Sequence, residues 1–190
     1  MIIIRDFFKK FRLAWSDHRS EPLRFPGLRI IKTSLAVFLV LILYLLLPET
    51  SNATTAAIAA IIAMRSSIKD SYVASFIRLQ STFVGAVFGL IILMLKEVSN
   101  LEYNSLVYNL LLSFLVLLVI WISVSFLRSD GAVLGSIVLL AIAIGPILDM
   151  SPFQAAITRF LDTLIGVGIA LLVNRVLPLS PEEDEKKKDA

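Results

Sequence analysis

The chain has 190 residues, 57% of them hydrophobic and 17% charged, with a net charge of +3 and a mean hydropathy of +0.85. A soluble domain carries about 25% charged residues, so this composition excludes one. Cysteine is absent and His18 is the single histidine, which excludes thiolate metal sites, cysteine nucleophiles and multi-histidine clusters. Apolar stretches recur that are long enough to cross a ~30 Å hydrocarbon core, and no ten-residue alternating strands point to a barrel. Backbone groups in lipid must bond within their own segment, so the fold class is an all-α integral membrane protein.

Residues 1–27 read as a basic amphipathic leader. Ile4, Phe7, Phe8, Phe11 and Trp15 fall near helical spacing among Arg5, Lys9, Lys10 and Arg12, the pattern of a helix lying at the lipid headgroups. It is not a secretory signal, because no apolar core or small-residue cleavage site is present. Six membrane segments follow over 28–177: about Leu28–Leu47, Ala53–Met64, Val73–Leu95, Leu106–Leu127, Gly131–Leu148 and Phe153–Leu177. The tail over 178–190 is too charged to pack.

Lys and Arg set the orientation. Eight of the eighteen lie in residues 1–32; Arg65, Lys69, Arg128, Arg175 and Lys186–Lys188 fall on the same side, and the opposite loops hold only Lys96. The positive-inside bias then places both termini in the cytoplasm, which agrees with an even number of spans.

The stretches "RLQSTFVG" (78–85) and "RFLDTLIG" (159–166) both read R-x-x-x-T-x-x-G, displaced by 81 residues. The same displacement aligns segments one and two with four and five. Each unit (about 28–95 and 106–177) has three crossings, so the second enters from the opposite side: two inverted three-helix repeats, a plan common among transporters. Segments two and five are short and occupy matching places, which points to a binding site between the halves.

Arg78, Thr82, Gly85 and Gly89 lie at i, i+4, i+7 and i+11, one stripe of a helix; Arg159, Thr163, Gly166 and Asn174 form a second stripe. Gly85, Gly89, Gly166 and Gly168 are expected to let neighbouring helices approach. Arg78 and Arg159 are candidate anion ligands, with Thr82 and Thr163 beside them, because an Arg fork matches a carboxylate. Lys32 could extend the cationic path. Plainer readings stand beside these: Arg78 and Lys32 snorkel to headgroups, and Arg159 pairs with Asp162 at i+3. Asp162, the one acid well inside a segment, either couples transport to protons or neutralises Arg159.

"GLRIIKTSLAVFL" (27–39), "AAIAAIIAM" (56–64), "RLQSTFVGAVFG" (78–89) and "RFLDTLIGVGIALLVNRVL" (159–177) resemble the aromatic acid exporter family, also called fusaric-acid-resistance-like. The resemblance implies a bacterial inner-membrane unit of six helices that exports aromatic carboxylates. It also implies a distant likeness to aluminium-activated malate channels, dimers whose pores are lined by basic residues. Two departures stand out. Many relatives continue into a sizeable cytoplasmic domain, whereas this sequence stops at Ala190, and segment two ends in "MRSS" where relatives often show a glutamine–proline pair.

The expected function is therefore export of a small organic anion, with a passive anion channel and a non-transporting scaffold as alternatives. The expected partners are that anion, the lipid bilayer and a second copy of the chain in a homodimer. No nucleic acid, metal or cofactor is expected, and no H-E-x-x-H, G-x-S-x-G or P-loop suggests an enzyme.

Overall fold

Each apolar run closes its own hydrogen bonds as a helix. The computed structural model describes residues 28–47, 53–103, 105–126, 128–145 and 151–177. Among them, α1 spans Leu28–Tyr44, α2 Ala53–Ala63, α3 Ile68–Val98, α4 Leu106–Phe126, α5 Ala132–Ala143 and α6 Pro152–Val176, with a 3-10 turn at Ser129–Gly131 and no strand. The leader over 1–27 and the tail over 178–190 lie outside the described residues.

The helix ends follow from local chemistry. Ser67 caps α3 by accepting from the Asp70 N–H at 3.1 Å. Asn100, at φ 46°, takes the left-handed conformation that ends that helix, and Leu101 N–H returns to Lys96 O at 3.2 Å. Ser151 and Gln154 form a capping box before α6, with Pro152 at its first turn.

Among the described residues, three helices, α3, α4 and α6, are long and apolar enough to cross a membrane by length and composition. α1 has 17 residues, and α2 and α5 have 11 and 12. At 1.5 Å per residue the two short helices rise only about 17–18 Å. α3 runs past its expected limits of Val73 and Leu95, because Lys69, Asp70, Lys96 and Glu97 continue the helix beyond its apolar part. α5 stops at Ala143, short of the expected Leu148; residues 146–148 lie outside the described residues.

The packing crosses between the two halves of the chain. α3 and α6 lie against each other at the centre; α6 packs on α1 and α2, while α3 packs on α4 and α5. One core accordingly joins Ala36, Val40, Ala56, Ala59 and Ala60 to Val167 and Ala170 of α6. A second joins Ile92 of α3 to Tyr108, Leu112, Val119 and Leu139. Each three-helix stretch thus lends its last helix to the other stretch's core. The alanines of α2 keep side chains short, which lets backbones approach as they do at membrane helix interfaces.

Successive helices alternate in direction. We call the end where α1 begins proximal; it holds the 64–67 and 128–131 turns. The opposite end, with the starts of α2, α4 and α6, is distal.

Candidate functional site

Arg78 lies ten residues into α3, about 15 Å from its proximal start. Its side chain is 3% exposed, its Nε has no hydrogen-bond partner, and no acid among the described residues pairs with it. Ser75 Oγ, one turn toward the proximal end, is likewise buried without a partner. This corrects the snorkelling alternative: the guanidinium is held inside the bundle, although a long stem could have carried it outward.

Thr82 and Thr163 are fully buried. Each hydroxyl donates to the carbonyl one turn back, Thr82 to Arg78 O at 2.8 Å and Thr163 to Arg159 O at 3.0 Å. The two hydroxyls stand 3.4 Å apart where α3 crosses α6. Residues displaced by 81 in the sequence therefore touch each other at mid-helix.

Arg159 lies seven residues from the distal start of α6 and is half-buried. Its Nη1 donates to the Thr55 hydroxyl near the start of α2, and its Nη2 faces Gly145, just beyond α5. Asp162 is 1% exposed. It accepts a hydrogen bond from the Tyr44 hydroxyl at 2.6 Å and lies close enough to act electrostatically on Arg159. This distal cluster joins α1, α2, α5 and α6.

Lys32 is 2% exposed and donates to Asn174 Oδ1 at 3.3 Å, so it too fails to snorkel. The Asn174 amide reaches Ser71 Oγ at 2.8 Å, Arg65 O at 3.3 Å and Ser67 O at 3.4 Å. Ser71 Oγ in turn accepts from Arg65 N–H at 2.9 Å. The network ties the α2–α3 turn to α1 and α6 at the proximal end.

The glycines divide. Gly85 is pressed onto the backbone of α5 at Gly135, Gly166 onto α2 at Ala56, and Gly89 onto the Ile142 side chain. Gly168, expected to pack, instead lies on an exposed face with nothing within 4 Å of where a Cβ would stand.

Sequence reasoning singled out Arg78, Thr82, Arg159, Asp162 and Thr163 but missed Tyr44, Thr55 and Ser71. Tyr44 meets Asp162 across 118 residues, and no local pattern signals such a contact. Asn174 was on the stripe but had no assigned role. Tyr44→Phe removes the hydroxyl and leaves a buried carboxylate oxygen short of a donor. Hydrogen bonds to charged groups are worth about 1.5–3 kcal/mol, so a fall in thermal midpoint is expected in detergent-solubilised protein.

No curated protein and no solved structure matches the chain. The family model described as aromatic acid exporter family member 1 matches residues 25–177, which takes in α1 through α6. An apolar helical bundle of this length, with arginines kept inside it, is a multi-pass membrane protein, and it belongs to the aromatic acid exporter family.

Proposed function

We propose that the chain exports small aromatic carboxylate-type anions along a path lined by Arg78 of α3 and Arg159 of α6. The observation that carries this reading is the buried Arg78 side chain, 3% exposed, with its Nε unbonded. An arginine inside the hydrocarbon is costly, by ~2.5–3.5 kcal/mol or more at the bilayer centre. A protein that keeps one there without an acid gains nothing in stability from it, whereas an anion crossing the bundle would supply the missing partner.

The six helices are read as six spans in two inverted repeats. In support, Thr82 and Thr163 meet at mid-helix, and the packing of α2 on α6 has its counterpart in α5 on α3. Short helices at matching places leave the bilayer partly unspanned, as in transporters whose sites lie between the halves. Arg78 and Arg159 then approach the centre from opposite ends. Alternating exposure of the two guanidiniums would pass a carboxylate from the proximal to the distal end. The Lys and Arg bias makes the proximal end cytoplasmic, in a bacterial inner membrane. A two-fold homodimer is the expected assembly.

The test is uptake of radiolabelled benzoate-type acids into proteoliposomes. A charge-assisted contact worth about 1.5–3 kcal/mol corresponds to about ten- to a hundredfold in rate, so Arg78→Ala and Arg159→Ala should each lower flux by that factor. Unchanged flux in both variants would make the arginines structural. Asp162→Asn separates carrier from channel. A carrier coupled through this carboxylate loses its pH-dependent flux, whereas a channel keeps its current.

A further inference from the structure

A pocket of about 260 Å³ opens at the proximal end between α2, α3 and α5. Its volume falls just below the ~300–1,000 Å³ of sites for drug-sized ligands, which suits a solute of one ring. Ile62, Ala74, Ile77 and Leu134 supply apolar walls, while Arg65, Asp70, Arg128 and Asp130 supply charge. All four charged residues are exposed, and no ion pair joins them among the described residues. Two walls, Ala74 and Ile77, belong to the turn of α3 that leads to Arg78.

Both sides of this pocket are held in place. The Asn174 amide fixes the turn that carries Arg65, through Arg65 O and Ser67 O. Gly131 lies so close to Ser81 of α3 that a Cβ there would overlap the Ser81 hydroxyl, which seats the turn bearing Arg128 and Asp130. A rim of two cations and two anions with no ion pair among them, two on each side of the pocket, is net neutral. A simple carboxylate would be drawn by the arginines and repelled by Asp70 and Asp130. A ring bearing a carboxylate and an amine would complement both charges while its apolar body lies on the walls.

We infer that this pocket is a binding site for amine-bearing aromatic carboxylates, the vestibule through which a zwitterionic solute reaches Arg78. The inference rests on reading the chain as an organic-anion exporter and narrows the class of solute that it takes.

The test is isothermal titration of the full chain in lipid nanodiscs with three probes: 4-(aminomethyl)benzoate, benzoate and benzylamine. The zwitterion should bind about tenfold or more tightly than either half-charged probe, since each charge adds a contact the other probe lacks. Arg128→Gln should weaken the zwitterion and benzoate together. Asp130→Asn should weaken the zwitterion and leave benzoate equal or tighter. Both changes sit on an exposed turn, and Ala74→Phe, which fills the pocket, gives an independent block once size exclusion shows a folded chain. Zwitterion binding no tighter than benzoate, or binding unchanged by all three substitutions, overturns the proposal. Binding in Arg78→Ala should persist. A chain that binds the zwitterion but whose flux ignores Arg78 and Arg159 would remove the transport path and leave the pocket standing. The reverse result would remove the pocket alone.

Discussion

Gly166→Ala is expected to leave little well-folded protein, while Gly168→Ala, two residues further along the same helix, is expected to behave like the unmodified chain. A Cβ at 166 would overlap the carbonyl oxygen of Ala56 and stand 2.8 Å from its carbonyl carbon and 3.0 Å from its Cα. All three are backbone atoms of α2, so no side chain can rotate away; the two helices must separate. Overpacking of a core typically costs ~1–3 kcal/mol, and more when backbone has to shift. Against a total stability of ~5–15 kcal/mol, and for an 11-residue helix that packs more on α6 than on any other helix, that loss is large. A Cβ at 168 meets nothing within 4 Å, and alanine is the better helix former by ~1 kcal/mol. Fluorescence-detected size exclusion with a thermal ramp reads both: loss of the monodisperse peak for Gly166→Ala, an equal or higher midpoint for Gly168→Ala. Gly85, displaced from Gly166 by 81 residues, is pressed in the same way onto Gly135 O of α5. Gly85→Ala should fail alongside Gly166→Ala. A normal midpoint for either variant would mean that these helices do not approach as closely as described.

The glycine pair also shows what was legible in the sequence. The R-x-x-x-T-x-x-G stripe identified helix faces correctly, because period and side-chain size alone decide which face can touch a neighbour. It could not say where that face ends, and Gly168 falls off it. The helices themselves were readable from apolar runs broken at Pro48, "MRSS" and "LPLSP". Their ends were less so. Hydropathy reports what can sit in lipid, and α3 continues as a helix through Lys69 and Asp70 at one end and Lys96 and Glu97 at the other. Least legible were contacts between distant segments. Tyr44 with Asp162 and Lys32 with Asn174 lie 118 and 142 residues apart. Lys32 looked like a snorkelling residue because its position, four residues into an apolar run, fits that role equally well. Only the placement of α6 beside α1 supplies Asn174 as a partner and makes burial possible. Arg65 and Arg128 entered the sequence argument solely as charges that set orientation. The pocket between them depends on α2, α3 and α5 converging, which no spacing along the chain encodes.

If Arg78 lines the proposed path, stability and transport should move in opposite directions under one substitution. Arg78→Met is expected to raise the thermal midpoint and to lower anion flux by about tenfold or more. Methionine is unbranched and flexible enough to fill most of the space a buried arginine leaves, and it removes a charge whose burial costs ~2.5–3.5 kcal/mol or more. Replacing buried ionic groups by apolar ones of similar volume is often neutral or stabilising by ~1–4 kcal/mol. Here the gain should approach the upper part of that range, less a small cavity term, because no acid among the described residues loses a partner and the Nε makes no bond that would be broken. Transport has the opposite requirement. On the proposed path, a carboxylate entering the bundle would leave water behind, and the guanidinium fork would replace its hydration. Arg78→Lys completes the series: it retains the charge as a compact ammonium but not the planar fork, so flux should fall less than in Arg78→Met while preference for carboxylates over chloride weakens. Thermal midpoint and proteoliposome flux, measured on the same purified samples, decide among three cases. A higher midpoint with lost flux places Arg78 in the path. A lower midpoint with lost flux makes it a structural residue whose partners the described contacts do not include. A higher midpoint with intact flux would leave a costly buried charge with no part in transport, and the anion path would then have to be sought away from the α3–α6 crossing.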